Sequence, residues 1–172
     1  MYIPLHKGRS SKRKVVAMAT IDDDPELFAY LSTWEWGLNS DSYTDYGARY
    51  YFDEKTRCVM LHHAILDFYG IDRVGRQVDH RDGDGLNNRQ SNLRVCSQSQ
   101  NKMNSGAYSG ASSRYKGVAR EKTCDRWRAY IRIDGTLHYL GLFKTDVEAA
   151  RAYDVKARQM FGEFARTNFQ EG

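Results

Sequence analysis

The sequence predicts an α+β protein in which a ββα unit precedes a small three-stranded antiparallel sheet packed on one helix. Two observations lead to this prediction. Residues 78–101 contain a strand pattern, a glycine-rich loop, a second strand pattern and a helix start, in that order. Residues 114–161 contain three strand patterns followed by one long helical pattern. The stretch between them, NSGAYSGASS, is small, polar and glycine-rich, which is typical of a linker.

These patterns divide the chain into two domains. We predict a first domain over residues 1–105, a linker over 106–113 and a second domain over 114–172. The length of 172 residues suffices for two small domains. Small packed cores are expected in both, because 41% of the residues are hydrophobic.

The N-terminal part of the first domain has the pattern of short strands and turns. A strand over 14–22 is predicted to end in an acidic turn, and a short helix over 24–36 has Pro25 at its first position. A hairpin is predicted from strands at 46–53 and 57–66, joined by the polar turn DEKT. Five aromatic side chains are expected to pack rather than to bind a partner: Trp34, Trp36, Tyr43, Tyr46 and Tyr50.

The ββα unit is centred on the sequence VDHRDGDGLNNRQSNLRVCSQSQN. Its first strand is predicted to end at residues 78–80, and residues 93–96 have the pattern of the second strand. Ser97 is predicted to cap the following helix, with Gln100 as its capping-box partner. This start places Asn101 in the first helical turns.

The same unit offers side chains suited to phosphodiester hydrolysis, which needs a positioned water and charge stabilisation at the phosphate. Asp79 can supply a carboxylate and Asn101 a carbonyl oxygen, the ligands that magnesium and manganese prefer. His80 can accept a proton from water, because the ordinary pKa of histidine is roughly 6.5. Asn92 can bond the other imidazole nitrogen and fix its tautomer. These residues predict a site for one divalent metal ion.

The glycine-rich loop also resembles the start of a calcium loop, because Asp82 and Asp84 stand in a D-x-D-G sequence. Leu86 and Asn87 stand where such a loop needs an oxygen ligand and a glycine, so this alternative is rejected. Asn87 and Asn88 are expected to serve the left-handed backbone of the turn or to hydrogen-bond across it. Three arginines are equally compatible with phosphate contacts and with solvated loop charges: Arg81, Arg89 and Arg94.

At these residues the sequence resembles the HNH nucleases, in particular the homing endonucleases of phage genomes and mobile introns. The resemblance covers about residues 13–104 and depends on the pattern D-H, NN, NL and N. It implies a ββα-metal nuclease module with one magnesium or manganese ion per active site. It also implies that Asp79 and Asn101 are metal ligands, that His80 is the general base and that Asn92 orients it.

A second segment, Leu61-His62-His63, resembles the M-H-R segment of the same family. His63 stands where arginine is usual, so no role is assigned to it. Two roles stay open for His62, packing in the fold and contact with the phosphate backbone, and neither of them is catalytic.

Cysteine usage and hydropathy limit the class of protein. The three cysteines lie far apart and form no C-x-x-C pair, so neither a disulfide framework nor a structural zinc ion is expected. The apolar runs are too short for a membrane helix, and no apolar signal-peptide segment follows the basic N-terminal residues. We therefore expect an intracellular protein without a membrane partner. The resemblance to phage enzymes implies the cytoplasm of an infected host cell.

The second domain has clear strand and helix signals. Three strands are predicted, at residues 114–121, 125–134 and 136–143. Asp134-Gly135 is predicted to turn the chain between the last two strands. Thr145 and Glu148 form a capping box, and the helix is predicted to end before Gly162. Four helix residues at helical spacing are expected to face the sheet: Ala150, Tyr153, Ala157 and Phe161.

The excess of positive charge also lies in the second domain. The net charge is +4, and residues 1–105 contain 14 Lys and Arg against 14 Asp and Glu, whereas residues 106–172 contain 12 against 8. A surface of this kind suits a phosphate-bearing partner. On charge alone, a solvated basic face is equally compatible.

Residues 114–169 contain the motifs YKGV, WRAYIR, YLGLF, EAARAYD and NF, in that order. With these motifs the segment resembles the plant APETALA/ethylene-response-factor DNA-binding domain. In that family the three-stranded sheet lies in the major groove of DNA, so the resemblance implies that outward-facing sheet residues contact double-stranded DNA. The residues assigned to DNA binding are Lys116, Arg128, Tyr130, Arg132 and Tyr139. Trp127, Ala129, Ile131 and Ile133 alternate with them and are expected to face the helix.

The sequence departs from the plant pattern at several base-contacting positions. Lys116 stands where an arginine is usual and Tyr139 where a tryptophan is usual. Ala119 and Glu121 stand where the plant domains often carry further arginines. The GC-rich site of the plant domains is therefore not expected here.

The predicted function is that of a metal-dependent DNA endonuclease of the homing type. A monomer with one such site would nick duplex DNA, whereas two cuts would require a weak dimer or a second encounter. The alternative is a non-catalytic, sequence-specific DNA-binding regulator that keeps the nuclease fold as a scaffold. A third possibility, an RNA-binding or structural phage protein, has only the basic C-terminal third in its favour.

Overall fold

The computed structural model describes residues 1–7, 14–40, 44–52, 56–106 and 111–169. The chain divides into two compact units, Met1–Ser97 and Gln98–Gly172. The described residues combine sheets with four helices, so the predicted α+β class is confirmed. The predicted domain boundaries, with a linker at 106–113, stay a prediction. No helix in the described part of the chain has the length and apolarity needed to cross a membrane.

The first unit contains a five-stranded sheet. Its strands are β1 (Tyr2–Lys7), β2 (Lys14–Thr20), β3 (Trp36–Ser40), β4 (Asp45–Phe52) and β5 (Thr56–Met60), in the order β2-β1-β3-β4-β5. Among the strand pairs of this sheet in the described residues, β1 and β3 are parallel and the others are antiparallel. The predicted strand at 14–22 is confirmed, whereas β1 and β3 were not predicted. β1 carries alternating apolar residues, and its Ile3 and Leu5 are buried in the core, but Pro4 weakens the strand signal.

Helix α1 (Pro25–Ser32) starts as predicted but ends earlier. Asp24 caps it, because its Oδ1 accepts hydrogen bonds from the backbone N–H groups of Glu26 and Leu27 at 2.9 and 3.0 Å. The prediction that the helix continues to Trp36 is wrong. Trp36 starts β3 instead, with its ring 1% exposed and its Nε1 donating to the carbonyl of Leu31 at 3.0 Å.

The predicted hairpin is half correct. β4 and β5 pair antiparallel, and the turn at 53–55 lies outside the described residues. The second strand ends at Met60, where helix α2 (Leu61–Phe68) begins, so the predicted strand over 57–66 is wrong beyond Met60. Leu61, Ala64 and Ile65 recur at helical spacing and are all buried. Short apolar runs suit a strand and a buried helix equally, and here the core favours the helix.

The aromatic residues of this unit differ in their surroundings. Trp36 is buried, and the ring of Trp34 packs edge-on against that of Tyr30. Tyr50 is 57% exposed, so the packing prediction is wrong for this residue. Tyr43 lies outside the described residues.

Strands β6 (Gln77–His80) and β7 (Leu93–Cys96) form a separate two-stranded antiparallel sheet. A 3-10 turn at Gln90–Asn92 leads into β7. The intervening loop is attached to the end of β2, because the N–H of Thr20 donates to Leu86 and the N–H of Asn88 donates to Thr20 at 2.8 and 2.7 Å. Helix α3 (Gln98–Asn104) follows β7 and falls in the second unit.

The second unit contains a three-stranded antiparallel sheet, built from β8 (Val118–Arg120), β9 (Trp127–Ile133) and β10 (Thr136–Phe143) with β9 in the centre. Asp134 and Gly135 join the last two strands with φ values of 47° and 82°, which confirms the predicted turn. Helix α4 (Asp146–Phe161) has the predicted capping box of Thr145 and Glu148. The helix residues expected to face the sheet are buried together with Ala129 and Ile131.

Candidate functional site

Asp79 lies in a buried ion pair with Arg94. The two residues are direct partners in the register of β6 and β7. Asp79 Oδ2 accepts hydrogen bonds from Arg94 Nε at 2.9 Å and Nη2 at 2.6 Å. Asp79 is 6% and Arg94 8% exposed, so the carboxylate is compensated by the guanidinium rather than by water. A cation that binds Asp79 must share the carboxylate with Arg94 or displace it.

His80 ends β6 and has a different partner. Its Nε2 lies 3.2 Å from Oδ1 of Asn88, a residue that is 0% exposed. The Asn88 amide group is oriented by Gly85, because its Nδ2 donates to the Gly85 carbonyl at 3.2 Å. A carbonyl can only accept, so Asn88 Oδ1 must be the atom that faces the imidazole. His80 therefore carries its proton on Nε2, and Nδ1 carries the lone pair.

Asn92 does not contact the imidazole, contrary to the role predicted for it. Its Nδ2 donates to Asp82 Oδ1 at 2.9 Å and to the Asn87 carbonyl at 2.7 Å. Its Oδ1 accepts from the N–H of Asp82 at 3.1 Å. Asn92 thus ties the two ends of the loop together, because it precedes β7 while its amide points into the loop. The assignment of Asn92 as a catalytic residue stays a prediction.

Asn88 is the residue that sequence reasoning missed. The sequence predicts only that Asn88 and its neighbour Asn87 serve the turn's left-handed backbone or hydrogen-bond across the turn. The available signal was the Asn87-Asn88 pair itself, because an asparagine amide can both donate and accept hydrogen bonds. Neither asparagine has a positive φ in the described backbone, so the turn geometry does not explain them.

Burial lowers the pKa of His80 below its ordinary value, and the hydrogen bond with Asn88 and the carboxylates of Asp82 and Asp79 oppose this shift. At neutral pH the imidazole is therefore neutral in the free protein. Neutral imidazole is the form that can take a proton from water.

His62 packs beside His80 in the first unit. The two rings are 5.0 Å apart and nearly perpendicular, and the ring of Tyr46 lies 5.8 Å from that of His80. His62 is 6% exposed, and burial, followed by the neighbouring His80 and His63, lowers its pKa well below the ordinary value. Within the described residues its Nδ1 has no hydrogen-bond partner. His62 is thus a neutral part of the wall around His80.

The donor types fit a hard divalent ion. Asp79 offers a carboxylate and Asn101 an amide carbonyl, and both suit magnesium or manganese. Asn101 lies on α3 in the second unit, so its pairing with Asp79 stays a prediction. The described residues contain no group of three or more His, Cys, Asp and Glu side chains that could hold an ion. Water and phosphate oxygens would therefore have to complete the coordination.

Four of the five residues predicted to bind DNA lie on one face of the second unit's sheet. Arg128, Tyr130 and Arg132 alternate with the more buried residues of β9, and Tyr139 lies directly opposite Tyr130 on β10. Arg132 Nη1 donates to the Gly135 carbonyl at 2.6 Å. Arg128 Nη1 lies 3.7 Å from Oε2 of Glu121, at the edge of salt-bridge distance.

Lys116 differs from these four residues. Its ammonium group donates to the backbone carbonyl of Met103 on α3. Burial lowers the pKa of Lys116 to about 8. The predicted DNA contact of Lys116 would therefore require its ammonium to leave this carbonyl.

Residues 61–103 match the family model described as HNH endonuclease, which covers α2, the β6–β7 sheet and most of α3. An uncharacterized HNH endonuclease, L560, of Acanthamoeba polyphaga mimivirus is 37% identical over 91 residues, which cover 53% of this chain and 46% of that protein. APETALA2-like protein 2 of Oryza sativa subsp. indica is 46% identical over 68 residues, 38% of this chain and 15% of that protein, in a separate region.

The matches fit an HNH–AP2 fusion. The resemblance to both families is thereby confirmed. A further AP2-type relative, dehydration-responsive element-binding protein 2D of Arabidopsis thaliana, is 38% identical over 89 residues, 51% of this chain and 43% of that protein. The chain spans less than half the length of each of these relatives.

Proposed function

We propose that this chain is a metal-dependent DNA endonuclease of the homing type that nicks duplex DNA with His80 as the general base. One observation carries the proposal. His80 directly follows the buried carboxylate of Asp79, and it is a buried, neutral imidazole whose Nε2 proton is directed to Asn88. The matches to HNH endonucleases and to AP2-type factors support nuclease activity and DNA binding for the respective segments.

In the proposed reaction, His80 Nδ1 removes a proton from the attacking water. Asn88 holds the ring through Nε2, so the base keeps one orientation while the proton arrives. The carboxylates of Asp79 and Asp82 stabilise the imidazolium that forms, as their effect on the His80 pKa indicates. A divalent ion held by Asp79 and Asn101 would supply positive charge at the phosphate and at the departing 3′ oxygen.

The two segments that match known families have complementary roles in this proposal. β6, β7 and α3 act as a ββα-metal nuclease module without structural zinc. The three-stranded sheet on α4 positions the enzyme on double-stranded DNA. A monomer or weak dimer with one such module per chain cuts one strand at each encounter. The setting proposed is the cytoplasm of a phage-infected host cell, and the viral origin of one HNH relative is compatible with it.

A bind-then-cut experiment tests the proposal. Duplexes are selected from a random pool by the full chain in EDTA, and magnesium or manganese is then added to the purified complexes. We expect binding in EDTA and strand cleavage only after metal is added. Binding without cleavage under either metal would support the alternative, a non-catalytic DNA-binding regulator. The Asp79–Arg94 ion pair gives that alternative a specific basis, because it occupies one oxygen of the predicted metal ligand.

Asn88→Ala is expected to slow cleavage about 10- to 100-fold, the loss that is typical when a residue orienting the groups of a metal site through hydrogen bonds is removed. The affinity for DNA should change little, because Asn88 is fully buried. Single-turnover rate constants and binding isotherms measured in parallel separate the two effects. Asn87→Ala is the matched control, since the Asn87 amide donates to Asp82 and not to the imidazole. Equal rates for both variants would contradict the positioning role of Asn88.

Arg132→Ala is expected to weaken binding to a selected duplex by about 1–3 kcal/mol and to relax the choice of sequence. Arg132 is exposed on the outward sheet face, where a guanidinium can reach base edges. Arg151→Ala is the control, because it removes the same charge from α4, which packs on the other side of the sheet. Equal losses for both variants would indicate a general charge effect rather than base contact.

A further inference from the structure

Three large apolar or aromatic side chains are exposed on β10. Leu137 is 55%, Tyr139 63% and Leu142 41% exposed. A single exposed leucine on a protein surface needs no explanation, but a set of them on one face of a sheet does. The face that carries them is the one predicted to meet DNA.

The strand register places each of these side chains beside a residue of the same face of β9. Leu137 lies opposite Arg132 and Tyr139 lies opposite Tyr130. The register shifts between Tyr139 and Gly141, so that Leu142 lies opposite Arg128.

Directly opposed residues of an antiparallel pair share a face, with their Cβ atoms about 4.5–5.5 Å apart. The outward face therefore has an arginine–leucine pair at each end and a tyrosine pair between them. Leu140, by contrast, packs into the core.

The chemistry of each pair is complementary to groups that the major groove of DNA displays. A guanidinium can bond O6 and N7 of guanine, and the C5-methyl group of thymine is the apolar group that the major groove offers. An arginine with a leucine about 5 Å away can therefore address guanine and a thymine methyl on nearby base pairs. Burying that methyl group against leucine removes apolar surface of both from water.

We propose that Leu137 and Leu142 contact thymine methyl groups, so that the target site contains thymine close to guanine at two places. Arg128 and Arg132 are four residues apart on β9, which corresponds to about 13 Å along the strand. With a rise of about 3.4 Å per base pair, the two places are about four base pairs apart. The inference rests on the proposed binding of duplex DNA through this sheet.

The test uses the full chain in EDTA and a duplex that it has selected from a random pool. Each thymine of that duplex is replaced in turn by deoxyuridine, which removes only the C5-methyl group. We expect two positions, about four base pairs apart, at which the replacement weakens binding by the wild-type chain about four-fold. That fold-change corresponds to the burial of one methyl-sized group.

The variants connect each methyl group to one side chain. Leu137→Ala should bind thymine and deoxyuridine equally at one of the two positions, and Leu142→Ala at the other. Val155→Ala, which truncates an exposed apolar side chain on α4, should keep both differences. Equal affinity for thymine and deoxyuridine at every position would overturn the inference, as would differences that persist in both leucine variants. Failure to select any duplex would overturn the proposed DNA binding as well. The experiment therefore distinguishes failure of the thymine contacts from failure of DNA binding itself.

Discussion

The His80→Ala protein is expected to cut DNA about 10²- to 10⁴-fold more slowly than the wild-type chain, the usual contribution of a positioned general base. Binding to the same duplex should stay within a few-fold. His80 is 5% exposed and its Nε2 faces Asn88, so it contributes little to the surface that meets DNA. Its loss removes the proton acceptor and leaves the second unit unchanged.

Single-turnover cleavage and equilibrium binding are measured on one duplex, with His6→Ala as the matched control. His6 is a histidine of the same unit whose Nδ1 lies 3.3 Å from the Trp36 carbonyl on the five-stranded sheet. The control should cut at the wild-type rate. A loss of binding by His80→Ala as large as its loss of cutting would contradict the assignment of His80 as the base.

The Arg94→Met protein is expected to lose about 3–5 kcal/mol of its free energy of unfolding, because the change removes the guanidinium that compensates the buried Asp79 carboxylate. Arg94 Nε and Nη2 both bond Asp79 Oδ2, and neither residue is more than 8% exposed. The chain should tolerate the loss of both charges better than the loss of one.

The matched control is the double variant Asp79→Leu, Arg94→Met, which should recover most of the lost stability because it removes the uncompensated charge. Urea unfolding of the full chain, followed by Trp34 and Trp36 fluorescence in a Trp127→Phe background, measures the first unit. If Arg94→Met unfolds within about 1 kcal/mol of the wild-type chain, water or a cation must reach Asp79, and the buried ion pair is not the resting state.

Local sequence signals were sufficient to predict a structural element wherever one short-range interaction determines it. Asp24 caps α1, the Thr145–Glu148 capping box starts α4, and Asp134-Gly135 turns the chain with two positive φ values. Each of these features depends on residues that are at most four positions apart. The alternation of β9 could also be predicted, because one of its faces is buried by α4.

The wrong predictions concern elements that tertiary contacts define. The run LHHAIL has no periodicity that excludes a strand, and only the core formed by Leu61 and Ile65 makes it helical. Trp36 follows a helix in sequence, yet it joins a sheet whose neighbouring strand is β1, about thirty residues away.

The candidate site likewise combines residues that local signals identify with contacts that only the tertiary fold defines. Asp79 and His80 were identified from their types and spacing, but their partners come from other parts of the fold. The partner of Asp79 lies across the β6–β7 hairpin, and the partner of His80 lies in a loop attached to the end of β2. An asparagine pattern alone assigns the imidazole contact to Asn92, whereas the path of the loop assigns it to Asn88.

The central claim is metal-dependent strand cleavage, and the most direct measurement is the conversion of supercoiled plasmid carrying a selected site. The full chain is incubated with the plasmid in magnesium, in manganese and in EDTA. We expect open-circular product with either metal and none in EDTA, since one module cuts one strand. Unchanged supercoiled plasmid in both metals, with the selected site demonstrably bound, would contradict this claim, and the chain would then be a DNA-binding regulator on a nuclease fold.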